Sequence, residues 1–309
     1  MFKYIWLSLI GFCGLIVIAI TIVLSIAIFK LFGKHKICKE EIFSTNKTSA
    51  INGIIASIKY KVKNRLNQFP YKQIINISTL EYKSDSFAIK TASGNIEISG
   101  TDEKKAQATI EVYTGEPDNI SADFANNTIE VSSKKYMCGN IKVLLPKNIK
   151  NLELASANGN ISIQNFETSK SILSKVLHGT ININNCNEIS AIQLKSISGE
   201  LNINNSELDI LTIKTISGDI SFINSTVEKD DIHTISGNVT INSSSINNIV
   251  LISVSGDVHI NSSKIAVLVA KTVSGDIDFR TSAIEKDDIR TISGDIKRSE
   301  NTVSDNENI

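Results

Sequence analysis

Proline, cysteine and net charge are all scarce in this 309-residue chain, which holds three prolines, four cysteines and 32 basic residues against 32 acidic ones. The charge balance removes any general electrostatic case for a nucleic-acid partner. Cys13, Cys38, Cys138 and Cys186 form no CxxC pair and no metal-ligand spacing, so they define neither a disulfide framework nor a zinc site. Three prolines and sixteen glycines exclude collagen-like and Pro-rich disordered classes, while 41% hydrophobic residues suffice for a sizeable core. Neutrality nevertheless hides a gradient: residues 1–151 carry 20 Lys/Arg and 12 Asp/Glu, and residues 152–309 carry 12 and 20.

No charged residue falls between Tyr4 and Phe29. As a helix the run after Tyr4 reaches about 37 Å, longer than the ~30 Å hydrocarbon core of a bilayer. Lys30-Leu31-Phe32-Gly33-Lys34 follows directly and offers no small-residue cleavage site. Residues 1–32 therefore read as an uncleaved single-pass transmembrane helix, with the lipid bilayer as first partner. Lys30, Lys34, Lys36 and Lys39 lie just beyond the span, and a positive-inside count would put the C-terminal part in the cytoplasm. Long domains are translocated regardless of flanking charge, which leaves an extracytoplasmic C-terminal part open.

Residues 33–72 form a basic juxtamembrane linker. Within it Ile51, Ile54, Ile55, Ile58, Val62, Leu66 and Phe69 recur at helical spacing, with Lys59, Lys61, Lys63 and Arg65 elsewhere on the wheel. This amphipathic helix either lies on anionic lipid or pairs with a partner helix, or its apolar face covers the first strands of a stalk.

The strongest signal is a repeat. Glycine recurs at Gly159, Gly179, Gly199, Gly218, Gly237, Gly256, Gly275 and Gly294, in steps of 20, 20 and then 19 residues, a solenoid signature. Two positions after each glycine stand Ile161, Ile181, Leu201, Ile220, Val239, Val258, Ile277 and Ile296, and the next alternate position is again apolar in most coils. Period two means strand. A third apolar column (Leu208, Val227, Ile246, Ile265, Ile284) follows Asn/Ser-rich turn text. One period thus predicts about three short strands with corners, and eight periods at strand spacing give a β-solenoid about 40 Å long over residues 158–298. VEKDDIHTISGNV (Val227–Val239) reappears as IEKDDIRTISGDI (Ile284–Ile296) 57 residues later, which marks tandem duplication.

The text before each glycine alternates too. One face carries an aliphatic row, a Thr/Ser row and a Ser row, in which stacked hydroxyls are expected to satisfy one another. The opposite face carries Lys175, Lys195, Lys214, Lys271 and Arg290 in one row and Leu177, Ile197, Ile216, Ile235, Val254, Val273 and Ile292 in the next. That second row is either an exposed aliphatic stripe for binding or self-association, or a bulge turns it inward. At the end, Arg298 replaces an aliphatic core residue, and residues 299–309 are a polar tail that protects the final edge or is disordered. Residues 73–157 contain strand-like text without a regular period and read as an irregular β lead-in.

An N-terminal anchor, irregular strands, a Leu-Pro passage (NIKVLLPKNIKNLELASANGNISI, Asn140–Ile163) and SGD[IV]-type coils together resemble the bacterial DUF4097 family of adhesin-like β-strand repeat proteins over about residues 74–298. The resemblance implies a membrane-tethered β-solenoid at a bacterial cell envelope, with no catalytic residues to carry over.

The residues themselves offer no enzyme site. His178, His233 and His259 occupy three different columns and His35 lies beside the membrane span. Glu200, Asp219, Asp257, Asp276 and Asp295 follow their glycines, but at 19-residue rather than nine-residue spacing, which favours turn stabilisation over calcium. No nucleophile, base and orienter constellation, phosphate loop or dinucleotide fingerprint is present, so no cofactor is expected. The expected function is a non-catalytic envelope module presenting its faces to an envelope protein, a cell-wall polymer or a second copy. The alternatives are a cytoplasmic inner-leaflet scaffold that assembles through solenoid ends, similar to bactofilins, and an envelope-stress accessory protein.

Overall fold

A computed structural model describes residues 71–80, 85–103, 106–114, 128–131 and 136–299. The chain divides into two units, Met1–Lys61 and Val62–Ile309, and all described residues lie in the second. The apolar run Tyr4–Phe29, the amphipathic segment 51–69 and residues 300–309 fall outside the described residues. What is described is all-β, built of strands and turns without a helix.

Ahead of the repeat lie β1 (Tyr71–Leu80), β2 (Ser86–Thr91), β3 (Asn95–Thr101), β4 (Ala106–Thr114), β5 (Thr128–Val131) and β6 (Tyr136–Pro146). The coils then alternate a long and a short strand: β7 (Asn151–Asn158) and β8 (Ile161–Gln164), β9 (Ser171–His178) and β10 (Ile181–Asn184), β11 (Ile189–Ser198) and β12 (Leu201–Asn204). They continue as β13 (Glu207–Lys214) and β14 (Ile220–Ile223), β15 (Thr226–His233) and β16 (Val239–Asn242), β17 (Ser245–Ile252) and β18 (Val258–Asn261). β19 (Lys264–Ser274), β20 (Ile277–Arg280), β21 (Ala283–Ser293) and β22 (Ile296–Ser299) complete the stack.

Each coil therefore supplies two strands, not three. The column Leu208, Val227, Ile246, Ile265 and Ile284 opens the long strand instead of forming its own. In β13 the buried residues are Leu208, Leu211 and Ile213, so alternation slips by one residue after Leu208 and the strand bends there without ending. Long strands pair in parallel and in register with long strands, short with short, giving a 10-stranded and a 12-stranded sheet. Ile181↔Leu201 and Ile213↔Ile232 are examples of the matched columns that fill the space between the sheets.

The lead-in is less irregular than its text. β2 pairs with β7 and β3 with β8, which places Gly94-Asn95-Ile96 in the glycine column as a further rung. β5 pairs with the other edge of β2 and β6 with the other edge of β3, so β5 and β6 form the rung before it in space although they follow it in sequence. The stack has ten rungs, of which the eight periodic ones run in chain order. β4 and β1 then extend the 12-stranded sheet antiparallel beyond β6.

The change from 20 to 19 residues per coil has a local cause. In the two longer coils Thr168 (φ 56°) and Glu188 (φ 53°) insert one left-handed residue at the corner before the long strand. From Ser206 onward that residue is gone, and Ile189 still pairs with Leu208. The core columns keep their phase across the change.

The buried hydroxyl row departs from expectation. Ser196, Thr215, Thr234 and Ser253 are buried, yet their hydroxyls find no hydrogen-bond partner. Equivalent atoms of successive rungs stand one strand spacing apart, about 4.8 Å, too far for hydroxyl to meet hydroxyl. Asparagine solves the same problem because its donor and acceptor are separate atoms of one amide: Asn202 donates to Asn182 at 3.0 Å and Asn261 to Asn242 at 2.9 Å. A second serine column, at the corner after the short strand, succeeds by using backbone. The amides of Ser206, Ser225, Ser244 and Ser263 donate to the hydroxyls of Ser225, Ser244, Ser263 and Ser282, each one rung on. Cys186 begins this column, and burial pushes its thiol up to about 11, which leaves it a packing residue rather than a nucleophile.

Candidate functional site

The repeat glycines form one ladder with two requirements. At Gly237 φ is 140°, a region open only to glycine, and a Cβ there would lie 2.2 Å from the carbonyl oxygen of Gly218. The other repeat glycines stand in the same column with φ between 130° and 148°. They are therefore a structural element of the stack, and the site question passes to the side chains around them.

The position after the glycine holds the rungs together. The carboxylate of Asp219 accepts from the amide of Asn238, the side-chain carbonyl of Asn238 accepts from the amide of Asp257, and Asp257 accepts from Asp276, at 2.8, 2.9 and 2.8 Å. The Asp295 amide, and then the Lys297 ammonium, hold the Asp276 carboxyl below its ordinary range. These acidic side chains are spent on neighbouring amides, and among the described residues no group of three or more His, Cys, Asp or Glu side chains could hold a metal ion.

The histidines remain apart. His178 Nδ1 lies 2.7 Å from the Ser198 hydroxyl, with burial holding its pKa down, and His233 Nε2 lies 2.9 Å from Asp231. His259 stands on the short-strand sheet. A shallow trough of about 430 Å³ follows the serine corner, lined by residues such as Asn224, Thr226, Ser243, Ser262 and Lys264, with no carboxylate, histidine or cysteine in its wall.

The outer face of the long-strand sheet is organised in rows. Ile197, Ile216, Ile235 and Val254 are half-buried, because the chain bends there while their carbonyls accept from Ser217, Ser236, Ser255 and Ser274 of the next rung. Exposure rises toward the end, to 45% at Val273 and 81% at Ile292. The row is thus neither fully turned in nor fully exposed. Beside it Lys175, Lys195 and Lys214 pair in register on three successive rungs, a juxtaposition visible in the sequence as a row but not as a contact stack.

The last rung replaces two core residues by an ion pair. Arg298 stands in the column of Phe279 and Asp287 in that of Leu268, both core positions. Their side chains meet across the two sheets at 2.6 Å, with the guanidinium 5.4 Å from the Phe279 ring centroid. Sequence reading reached Arg298 but missed Asp287, whose EKDD context looks like solvated surface.

Stacked in-register rungs and two facing sheets, parallel through the ten rungs, make this a β-solenoid. The family model for Toastrack DUF4097 matches residues 44–209 and again residues 179–305. The chain belongs to the DUF4097 family. Among solved structures it is similar to a proposed adhesin from Parabacteroides distasonis, with 14% identity over 74% of this chain and 97% of that one and a TM-score of 0.47. A proposed lipid-binding protein from the same species gives 18% identity over 74% and 96%, with a TM-score of 0.44. A proposed adhesin from Bacteroides fragilis gives 15% over 75% and 99%, with a TM-score of 0.43. No curated protein matches the chain.

Proposed function

We propose that this is a single-pass membrane-anchored protein of a bacterial cell envelope whose non-catalytic solenoid, held outside the cytoplasm, serves as an adhesin-like binding or structural module. The observation that supports it is the in-register stacking of ten rungs around a mainly apolar core, which repeats the same outer rows from coil to coil. Such a surface offers area rather than a pocket. The ion pair at core positions of the last rung favours this reading over a scaffold that grows by end-to-end stacking.

Protease added to intact protoplasts tests the placement: the solenoid is expected to be digested while a cytoplasmic control survives. Protection until lysis would overturn it and put the inner-leaflet scaffold first. Binding through the aliphatic row is tested by replacing Ile216, Ile235 and Val254 together by Ser. Self-association or partner capture is expected to be lost with the strand signal in circular dichroism retained; unchanged association removes the row from the interface.

A further inference from the structure

The lysine row on the long-strand sheet stacks like charges directly on one another over three successive rungs. Lys195 pairs in register with Lys175 on one side and Lys214 on the other, so three ammonium-bearing stems project from adjacent strands about 4.8 Å apart. Like charges directly opposite on neighbouring strands repel. Further along the same row Lys271 and Arg290 share Asp288 at 3.8 and 2.8 Å. Lys175 reaches Glu153 only at 3.5 Å, and among the described residues Lys195 and Lys214 have no ion-pair partner.

Beside the three lysines the flanking rows are uncharged, with acids only one rung beyond either end, Glu153 next to Leu173 and Asp231 next to Thr212. On one side stand Leu177, Ile197 and Ile216, on the other Leu173, Gln193 and Thr212. Burial, and after it the charges of Lys175 and Lys214, hold the Lys195 ammonium below its ordinary pKa. The patch also sits in the acidic half of the chain, where residues 152–309 carry 12 basic against 20 acidic residues, so it is a local inversion of the surrounding sign. Its geometry is linear, along the axis of stacking. No aromatic side chain stands in these three rows, so no platform for stacking nucleic-acid bases is present.

From this juxtaposition we infer that Lys175, Lys195 and Lys214 form a docking track for a linear, base-free polyanion with phosphodiester-type charges along its backbone. The ammoniums meet successive phosphates, and the adjoining Leu177, Ile197 and Ile216 row packs against the carbon backbone between them. The inference names the partner class for the binding-module reading and rests on it.

The test uses the full-length chain in neutral detergent micelles with a fluorophore-labelled synthetic poly(glycerol phosphate) oligomer as the probe, read by fluorescence anisotropy across a salt series. Replacing Lys175, Lys195 and Lys214 together by Gln is expected to weaken binding about tenfold or more at low salt and to make the log affinity against log salt slope shallower by about 2. The control replaces Lys229, Lys264 and Lys286 by Gln, the same charge change on other columns, and is expected to bind like the wild type. Circular dichroism confirms that both variants keep their strands. Equal losses in both variants, unchanged binding in the first, or no binding by the wild type would each overturn the track. Loss of wild-type binding when the micelles are doped with phosphatidylglycerol would assign the lysines to lipid headgroups and overturn the polymer assignment. Digestion of the solenoid on protoplasts combined with any of these results sinks the track alone and leaves the module reading in place.

Discussion

Asp230→Leu is expected to stabilise the solenoid by about 3 kcal/mol, and its advantage over the wild type is expected to grow as the pH rises. Asp230 stands in the core column between Leu211 and Ile249, is 1% exposed, and neither carboxyl oxygen has a hydrogen-bond partner. Burial pushes this carboxyl well above the usual carboxylate range and the neighbouring Asp231 charge adds to the push; the Asp231 amide works the other way without reaching hydrogen-bond geometry. A leucine matches Leu211 and Leu268 of the same column, adds apolar burial and removes the uncompensated polar group. The sign of the pH effect follows from the raised folded-state pKa. In the unfolded chain the group ionises near pH 3.9, in the folded one only higher, so its contribution is complete below about pH 4 and is lost as pH climbs toward the folded value. The loss runs at up to about 1.4 kcal/mol per pH unit. Urea melts of wild type and Asp230→Leu at pH 4.5, 6.0 and 7.5 check this. A gap that stays constant or closes with rising pH would mean the carboxylate is ionised and partnered inside the coil.

Gly237→Ala is the second large effect, in the opposite direction. The methyl group meets a backbone oxygen at 2.2 Å, which no side-chain rotation relieves, and φ of 140° adds its own strain. A loss of about 4 kcal/mol or more is expected. Because a rung contacts only its neighbours, the damage is local to one interface, and unfolding is expected to split into two transitions, one for the rungs beyond the break. Denaturation monitored by circular dichroism and by limited proteolysis from the C-terminal side distinguishes the two. A single transition within 1 kcal/mol of the wild type (about fivefold in the folding equilibrium) would show that the ladder tolerates a Cβ.

The periodic part of the fold was legible because period makes its own evidence: the glycine column, Ile161 to Ile296, and the apolar residues two positions further on all recur in phase. The rungs of Gly94 and Gly139 were hidden for the converse reason. Each occurs once, at no fixed spacing, and they stack in the reverse of chain order, so only pairing reveals them. The corner serines from Ser206 to Ser282 read as polar turn text because their burial depends on the left-handed residue before each, from Asn205 to Thr281, which leads the next side chain inward. Asp230 sits in charged text resembling an exposed turn, and its burial follows from the half-turn slip after Val227, one residue of register that composition does not carry. On the outer face the sequence supplied the rows but not their pairing, and the mutual repulsion of Lys175, Lys195 and Lys214 is a property of the pairing.

The salt link that Arg298 makes with Asp287 over Phe279 has a bearing on size. An open rung is a template, and a stack ending in one would lengthen with protein concentration. Here the terminal layer offers a fixed ion pair where an incoming copy would need bare hydrocarbon. On the proposed reading, the reach of the solenoid from its first strand is a ruler graduated in coils, expected to follow the number of repeats rather than the protein concentration.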